Sequence, residues 1–421
     1  MTERITDKIL GESYLKVEHP SGLKIYLAKK SGFSSYYAIF GTAYGSIDTC
    51  FSRNGGKAVS VPEGIAHFLE HKLFESEELD AFQLFSKTGA YANAYTSFDR
   101  TCYLFGCSSK FEENLKILLE FVQSPYFTAE TVKKEQGIIG QEIVMYEDDP
   151  EWRGMFNLLK ILYHKHPVRI DIAGTVESIS HIDDKLLYEC YNTFYNLSNM
   201  FLCLVGDFDE EEILHIIDEN LKVGEKVEIK RETAAEDDSI VEGYTEQKLA
   251  VANPLFMIGF KDKSNSGYVG LRRRVAMDIP LEMLCGTASP LYKRLSDEGL
   301  IGNGIDHEYF CTRDMAAVLI SGEGDKSAEI LEKLMEEAEN IRKKGLDSEL
   351  FEIIRKSKYG ECVSAFDNVQ SIASMLVSSH ITGDKLFDEM EILRSITTND
   401  VYECLEVFSS EKCARSVVKG E

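Results

Sequence analysis

The 421-residue sequence has no run approaching 18 uninterrupted apolar residues, no CxxC pair among its ten cysteines and no excess of positive charge. Each absence excludes something. Without a long apolar run, no segment reads as a membrane-spanning helix. The polar start Met1-Thr-Glu-Arg-Ile-Thr-Asp-Lys leads into no apolar export segment either. Without paired cysteines, thiols such as Cys203 in Phe201-Leu-Cys-Leu-Val205 are expected as reduced core residues of a cytoplasmic chain. With 46 Lys and Arg against 71 Asp and Glu, the formal charge is −25, which repels phosphate backbones and anionic lipid alike. Nucleic acid and membrane are therefore excluded as expected partners. The glycine pairs in Asn54-Gly-Gly56 and Gly302-Asn-Gly304 lack the strand-to-helix context of a phosphate loop.

What is present is ample core material, 44% apolar and 10% aromatic, in a chain longer than one core usually serves. Strand-like runs (Leu23 to Leu27, Tyr36 to Phe40, Leu255 to Phe260, Ala317 to Ile320) interleave with amphipathic helical spacing. The pattern predicts an α+β fold twice over: a domain over residues 1–222, a charged, solvated linker over 223–246 and a second domain of similar fold over 247–421. A shift of 219 residues supports duplication. It lays Phe111, Leu115, Leu119 and Val122 on Ile330, Leu334, Ala338 and Ile341, and the candidate N-caps Thr128 on Asp347.

The informative string is Ser60-Val-Pro-Glu-Gly-Ile-Ala-His-Phe-Leu-Glu-His71. Ser60 and Glu63 fit a capping box and Pro62 suits a first turn, which predicts a helix starting there. His67 and His71 then lie one turn apart on one face with Glu70 beside them, the H-x-x-E-H order of a zinc site whose carboxylate can take a proton from water. A catalytic zinc needs a third ligand. Glu135 and Glu142, two turns apart on one face beside an apolar stripe, are costly to bury without a compensating cation, so Glu142 is the candidate ligand and Glu135 a supporting acid. The other histidines show no ligand spacing and are expected to be structural.

His67-Phe-Leu-Glu-His71, followed by Lys134-Glu-Gln-Gly-Ile-Ile-Gly-Gln-Glu142, resembles the insulinase/pitrilysin family of zinc peptidases, in its two-domain, mitochondrial-processing-peptidase-like branch. The motif context is similar to bacterial YmfH-type members. Gly89-Ala-Tyr-Ala-Asn-Ala-Tyr-Thr96 resembles the family's active-site edge strand. The resemblance implies half of a clamshell peptidase holding one Zn²⁺ per chain on His67, His71 and Glu142. It makes Glu70 the general base, Glu135 a supporting acid and Asn93 and Ala94 the contacts of a peptide substrate. It also implies an Arg and a Tyr in the second domain, but Ser296 and Gly302 stand at those places, with Tyr292 and Arg294 nearby. A homodimer, or a heterodimer with a paralogous subunit supplying Arg and Tyr, is the expected assembly. The alternative is a non-hydrolytic peptide-binding or assembly subunit of the same fold.

Overall fold

The computed structural model describes residues 1–75, 81–262 and 267–420. The first half of the chain contributes strands β1 (Thr2–Thr6), β2 (Ser13–Glu18), β3 (Lys24–Lys29), β4 (Tyr36–Thr42), β5 (Cys50–Arg53), β6 (Val59–Ser60), β7 (Tyr91–Thr96), β8 (Thr101–Cys107), β9 (Met200–Gly206) and β10 (Ile229–Arg231). Its helices are α1 (Ile65–Leu73), α2 (Ala81–Thr88), α3 (Phe111–Val122), α4 (Ala129–Glu147), α5 (Pro150–Leu162), α6 (Val176–Ser180), α7 (Asp184–Phe194) and α8 (Glu210–Asn220). The second half supplies β11 (Tyr244–Lys248), β12 (Leu255–Lys261), β13 (Ile305–Thr312), β14 (Met315–Glu323) and β15 (Cys413–Lys419). Between these strands run α9 (Leu271–Cys285), α10 (Pro290–Asp297), α11 (Ser327–Lys344), α12 (Ser348–Ala365), α13 (Val369–Thr382), α14 (Asp388–Ser395) and α15 (Thr398–Leu405). The fold is α+β, with two similarly built units.

One unit centres on a seven-stranded mixed sheet in the order β1-β2-β3-β9-β4-β8-β7. Its middle strand β9, Met-Phe-Leu-Cys-Leu-Val-Gly, is buried at every position, as a strand covered on both faces requires. At the free edge, β7 alternates exposed and half-buried residues. The other unit holds a five-stranded sheet, β11-β15-β12-β14-β13, whose edge strands are β11 and β13. The order β4-α1-α2-β7-β8-α3-α4-α5 recurs as β12-α9-α10-β13-β14-α11-α12-α13. The 219-residue register holds for α3 with α11 and α4 with α12, including N-caps at Thr128 and Asp347. It fails for α1, because it carries His67 to Gly286, just past the end of α9.

The units are not contiguous in sequence, unlike the boundaries expected above. The first comprises Met1–Ile143, Asp171–Thr233 and Val363–Leu386; the second Val144–Ile170, Ala234–Cys362 and Phe387–Glu421. The corresponding helices α5 and α13 have exchanged places: α5 covers β12 and β15, while α13 covers β9 and β4. Gly259 on β12 makes room for α5, since a Cβ there would meet the Leu158 and Leu162 side chains.

Segment 223–246, read from composition as a solvated linker, is tied down in two places. It supplies β10, which pairs with β5. It also supplies Glu236, whose carboxylate accepts from Lys261 Nζ and the His164 N–H at 2.7 Å, and from the Lys165 and His166 N–H groups at 2.7 and 2.8 Å. Lys261 Nζ also donates to the carbonyls of Asp237 and Ser239. Lys261 is only 4% exposed. A charge run buried by such a partner is indistinguishable by composition from one in water. All ten cysteines are free thiols, six of them buried.

Candidate metal centre

The expected helix start at Ser60 is displaced. Ser60 is instead paired with Cys50 in the β5–β6 ladder, and α1 begins at Ile65 behind Gly64, whose φ is +84°. A side chain at Gly64 would be strained, and its Cβ would strike the Ala173 carbonyl. The local signal for a cap was real in type, but a tertiary contact decided the entry point. Ile65, Phe68 and Leu69 are buried in the core and fix the rotation of α1. His67, Glu70 and His71 are thereby placed together.

The two imidazoles meet α4 at one carboxylate. His67 Nε2 lies 3.7 Å from Glu142 Oε1, and His71 Nε2 lies 3.3 Å from Glu142 Oε2. The ligand atoms of these three residues are all within 4.8 Å of one another, the only such group of His, Cys, Asp or Glu among the described residues. Two turns nearer the start of α4, Glu135 Oε1 sits 3.1 Å from His71 Nδ1. Glu135 accepts the Nδ1 proton and the protonated imidazole turns its Nε2–H to Glu142, so Nε2 is the atom that would give up its proton to bind a metal. Two nitrogen donors and one carboxylate converging on a point are the donor set of a zinc site with one open position.

The electrostatics match a site arranged around positive charge. Burial, helped by neighbouring His71, pushes His67 down to about 4, so its imidazole is neutral and able to bind a cation. Burial also opposes protonation of His71, but hydrogen bonds to Glu135 and Glu142 outweigh it and hold this imidazole up at about 10. Glu70, 9% exposed, is raised by burial, against the pull of hydrogen bonding from Thr96 and of the nearby His71.

Beside this cluster runs β7. Its inner side pairs with β8, Asn93 opposite Leu104 and Ala94 opposite Tyr103. The Ala94 N–H donates to Asn93 Oδ1 at 2.9 Å. Thr96, at the end of the strand, donates its hydroxyl to Glu70 Oε2 at 2.8 Å. Sequence reasoning placed Thr96 on the strand but gave it no part in the site, because a contact between a strand end and a helix has no periodic signature.

The remaining candidates lie elsewhere. Arg294 is paired with Glu337 at 2.6 Å, and the Gly302 N–H donates to the Glu323 carbonyl at 3.0 Å, both in the second unit. His166 is buried against the Arg313 carbonyl, and His380 packs on Phe201 and Tyr26. Among the described residues no helix is long and apolar enough to cross a membrane.

This fold and constellation define a class. Residues 59–176 match the family described as insulinase (peptidase family M16), and residues 181–358 match the peptidase M16 inactive domain. The chain belongs to the insulinase, or M16, family. A Bacillus subtilis protein named as an uncharacterized zinc protease, YmfH, is 41% identical, covering 96% of each chain. A crystal structure of a putative M16-like peptidase from Alicyclobacillus acidocaldarius superposes with a TM-score of 0.93 at 33% identity, covering 97% of this chain and 98% of that one. Pitrilysin shares the fold at a TM-score of 0.74 and 15% identity, this chain spanning 46% of its length.

Proposed function

We propose that the chain is a zinc-dependent endopeptidase that cleaves short or unfolded peptides laid against the free edge of β7. The observation that carries this reading is the convergence of His67, His71 and Glu142 beside the buried carboxylate of Glu70. His67, His71 and Glu142 would hold the metal, with Glu135 orienting His71. Zinc held there supplies Lewis acidity and an open position for the reacting group.

The chain's own residues do the rest. Asn93 and Ala94 on β7 present backbone and amide groups to an added peptide strand, a mode that reads main chain more than side chain. Glu70 takes a proton from the attacking water as the carbonyl carbon is attacked, then returns a proton to the departing amine as the C–N bond breaks. Its raised pKa suits both halves of that exchange.

Ser296 and Gly302 stand where the family resemblance called for Arg and Tyr, and Arg294 is engaged with Glu337. This supports a working assembly with a second half-shell, either another copy or a paralogous subunit that keeps both residues and helps close a chamber around the peptide. The same observation favours the second reading, a non-hydrolytic peptide-binding or assembly subunit. The unpaired cysteines support a reducing, cytoplasmic setting.

The test is hydrolysis of an internally quenched, unstructured peptide by the zinc-loaded chain, alone and with candidate paralogues. Glu70→Gln should abolish turnover by at least about 10²–10⁴-fold, the range general-base catalysis supplies. A wild type as inactive as Glu70→Gln under every pairing would leave the non-hydrolytic reading standing.

A further inference from the structure

We propose that Thr96 is the positioning residue for the general base, tying Glu70 to the same strand that would carry the substrate. The inference rests on the peptidase reading given above and deepens it.

The geometry assigns the proton. Thr101, fully buried on the neighbouring strand β8, donates its hydroxyl to the Tyr44 carbonyl at 2.9 Å. Thr101 therefore has no proton left for Thr96, whose Oγ1 lies 3.4 Å away. Thr96 has one hydroxyl proton, and the acceptor at hydrogen-bond distance is Glu70 Oε2 at 2.8 Å. A hydrogen bond to a carboxylate is of the stronger, charge-assisted kind and fixes direction as well as energy.

The position of Thr96 gives that bond its meaning. Side chains on a strand alternate, so Thr96 and Ala94 share one face of β7 while Asn93 and Tyr95 take the other. Thr96 reaches Glu70 on α1, so the Ala94 face is the one turned toward the site. A peptide registered on β7 and a carboxylate anchored to the last residue of β7 share one frame, and a shift of the strand moves both together. A base held only by its own helix would have three free torsions and would lose reach over a few tenths of an ångström.

The variants are Thr96→Val, which keeps shape and branching while deleting the hydroxyl, and Thr96→Ser, which restores it. Each is made in the full chain and loaded with zinc. Metal content, peptide kcat and KM are measured, together with the affinity of acetohydroxamic acid, which binds as acetohydroxamate after giving its acidic O–H proton to the base. Thr96→Val should keep wild-type zinc content and a KM within about two-fold, while kcat falls about ten- to a hundred-fold, the range of a lost hydrogen bond to a charged group. Acetohydroxamate affinity should fall by about ten-fold, and Thr96→Ser should recover most of both losses. Wild-type kcat and wild-type acetohydroxamate affinity in Thr96→Val would overturn the inference. If no protein turns over peptide but acetohydroxamate still separates Val from wild type and Ser, the peptidase reading fails and the positioning role stands. Equal acetohydroxamate affinity in all three proteins overturns the role whatever the turnover.

Discussion

Two corners of this molecule are built from the same parts and hold charge in opposite ways. In the first unit α1 and α4 bring His67, His71 and Glu142 together around a point that a metal ion fits, with β7 beside them. In the second, α9, β13 and α12 bring together Glu282, His307 and Lys358: Lys358 Nζ lies 2.9 Å and His307 Nε2 3.6 Å from Glu282 Oε1. Lys358 also pairs with Glu361, the residue that the 219 shift lays on Glu142, at 3.2 Å. Here the cation is covalent. Carboxylates drawn partly out of water favour a positive partner, and the two units meet that demand once with an ammonium from the chain and once with a constellation suited to zinc. The comparison teaches that a metal-free unit need not have lost polar groups from its inner corner. It has supplied its own counter-charge.

The largest effect that would sharpen this contrast comes from Lys261, a buried lysine of the second unit. Lys261→Met leaves the half-buried Glu236 without its cation and should destabilise that unit by about 3 kcal/mol, the low end for a buried pair, in urea denaturation. Burial works against ionisation of Glu236, but Lys261 and the three backbone N–H groups outweigh it and hold the carboxyl down at about 2. A depressed carboxyl contributes stability above its unfolded value near 4.5 that disappears as pH falls toward 2. The penalty of the substitution should therefore shrink under acid. A variant as stable as wild type at neutral pH would show that the segment around Glu236 is as loosely attached as its composition suggested.

A smaller effect tests the second unit's corner itself. Burial raises Asp278 on α9 to about 7, with Lys358 pulling it down and Glu389, Glu282 and Glu361 pushing it up. A raised carboxyl costs stability above its unfolded value near 3.8, and the cost is complete only above about 7. Lys358→Met removes the one cation in that balance, so the loss, about 1–3 kcal/mol at pH 8, should be smaller at pH 5 where Asp278 carries its proton. A difference independent of pH would break the claim that Lys358 serves as the corner's counter-ion.

How much of this was readable in advance depends on the range of each interaction. His67 and His71 at i and i+4, and Glu135 and Glu142 at i and i+7, announce shared helix faces, so the cluster was legible before any fold was known. The edge strand was read from the resemblance of Gly89 to Thr96 to the family's segment, and the duplication from matching apolar stripes in α3 and α11. The start of α1 was misplaced because Ser60 was already engaged in the β5–β6 ladder, and Gly64 answers to a carbonyl more than a hundred residues away. The exchange of α5 and α13 was invisible because both are ordinary amphipathic helices, and an apolar stripe does not say which sheet it covers. Thr96 carries no pattern at all, and Lys358 reads only as an i,i+3 partner of Glu361; tertiary structure alone gives them Glu70 and Glu282.

The central claim, that the first unit's corner holds a metal ion where the second holds a lysine, is tested most directly by zinc content. Metal would be measured on the purified full chain and on Glu142→Gln, Glu70→Gln and His307→Ala. The account predicts about one zinc per chain in the wild type, in Glu70→Gln and in His307→Ala, and a large loss of occupancy in Glu142→Gln alone. Zinc retained by Glu142→Gln, or lost from His307→Ala, would contradict it.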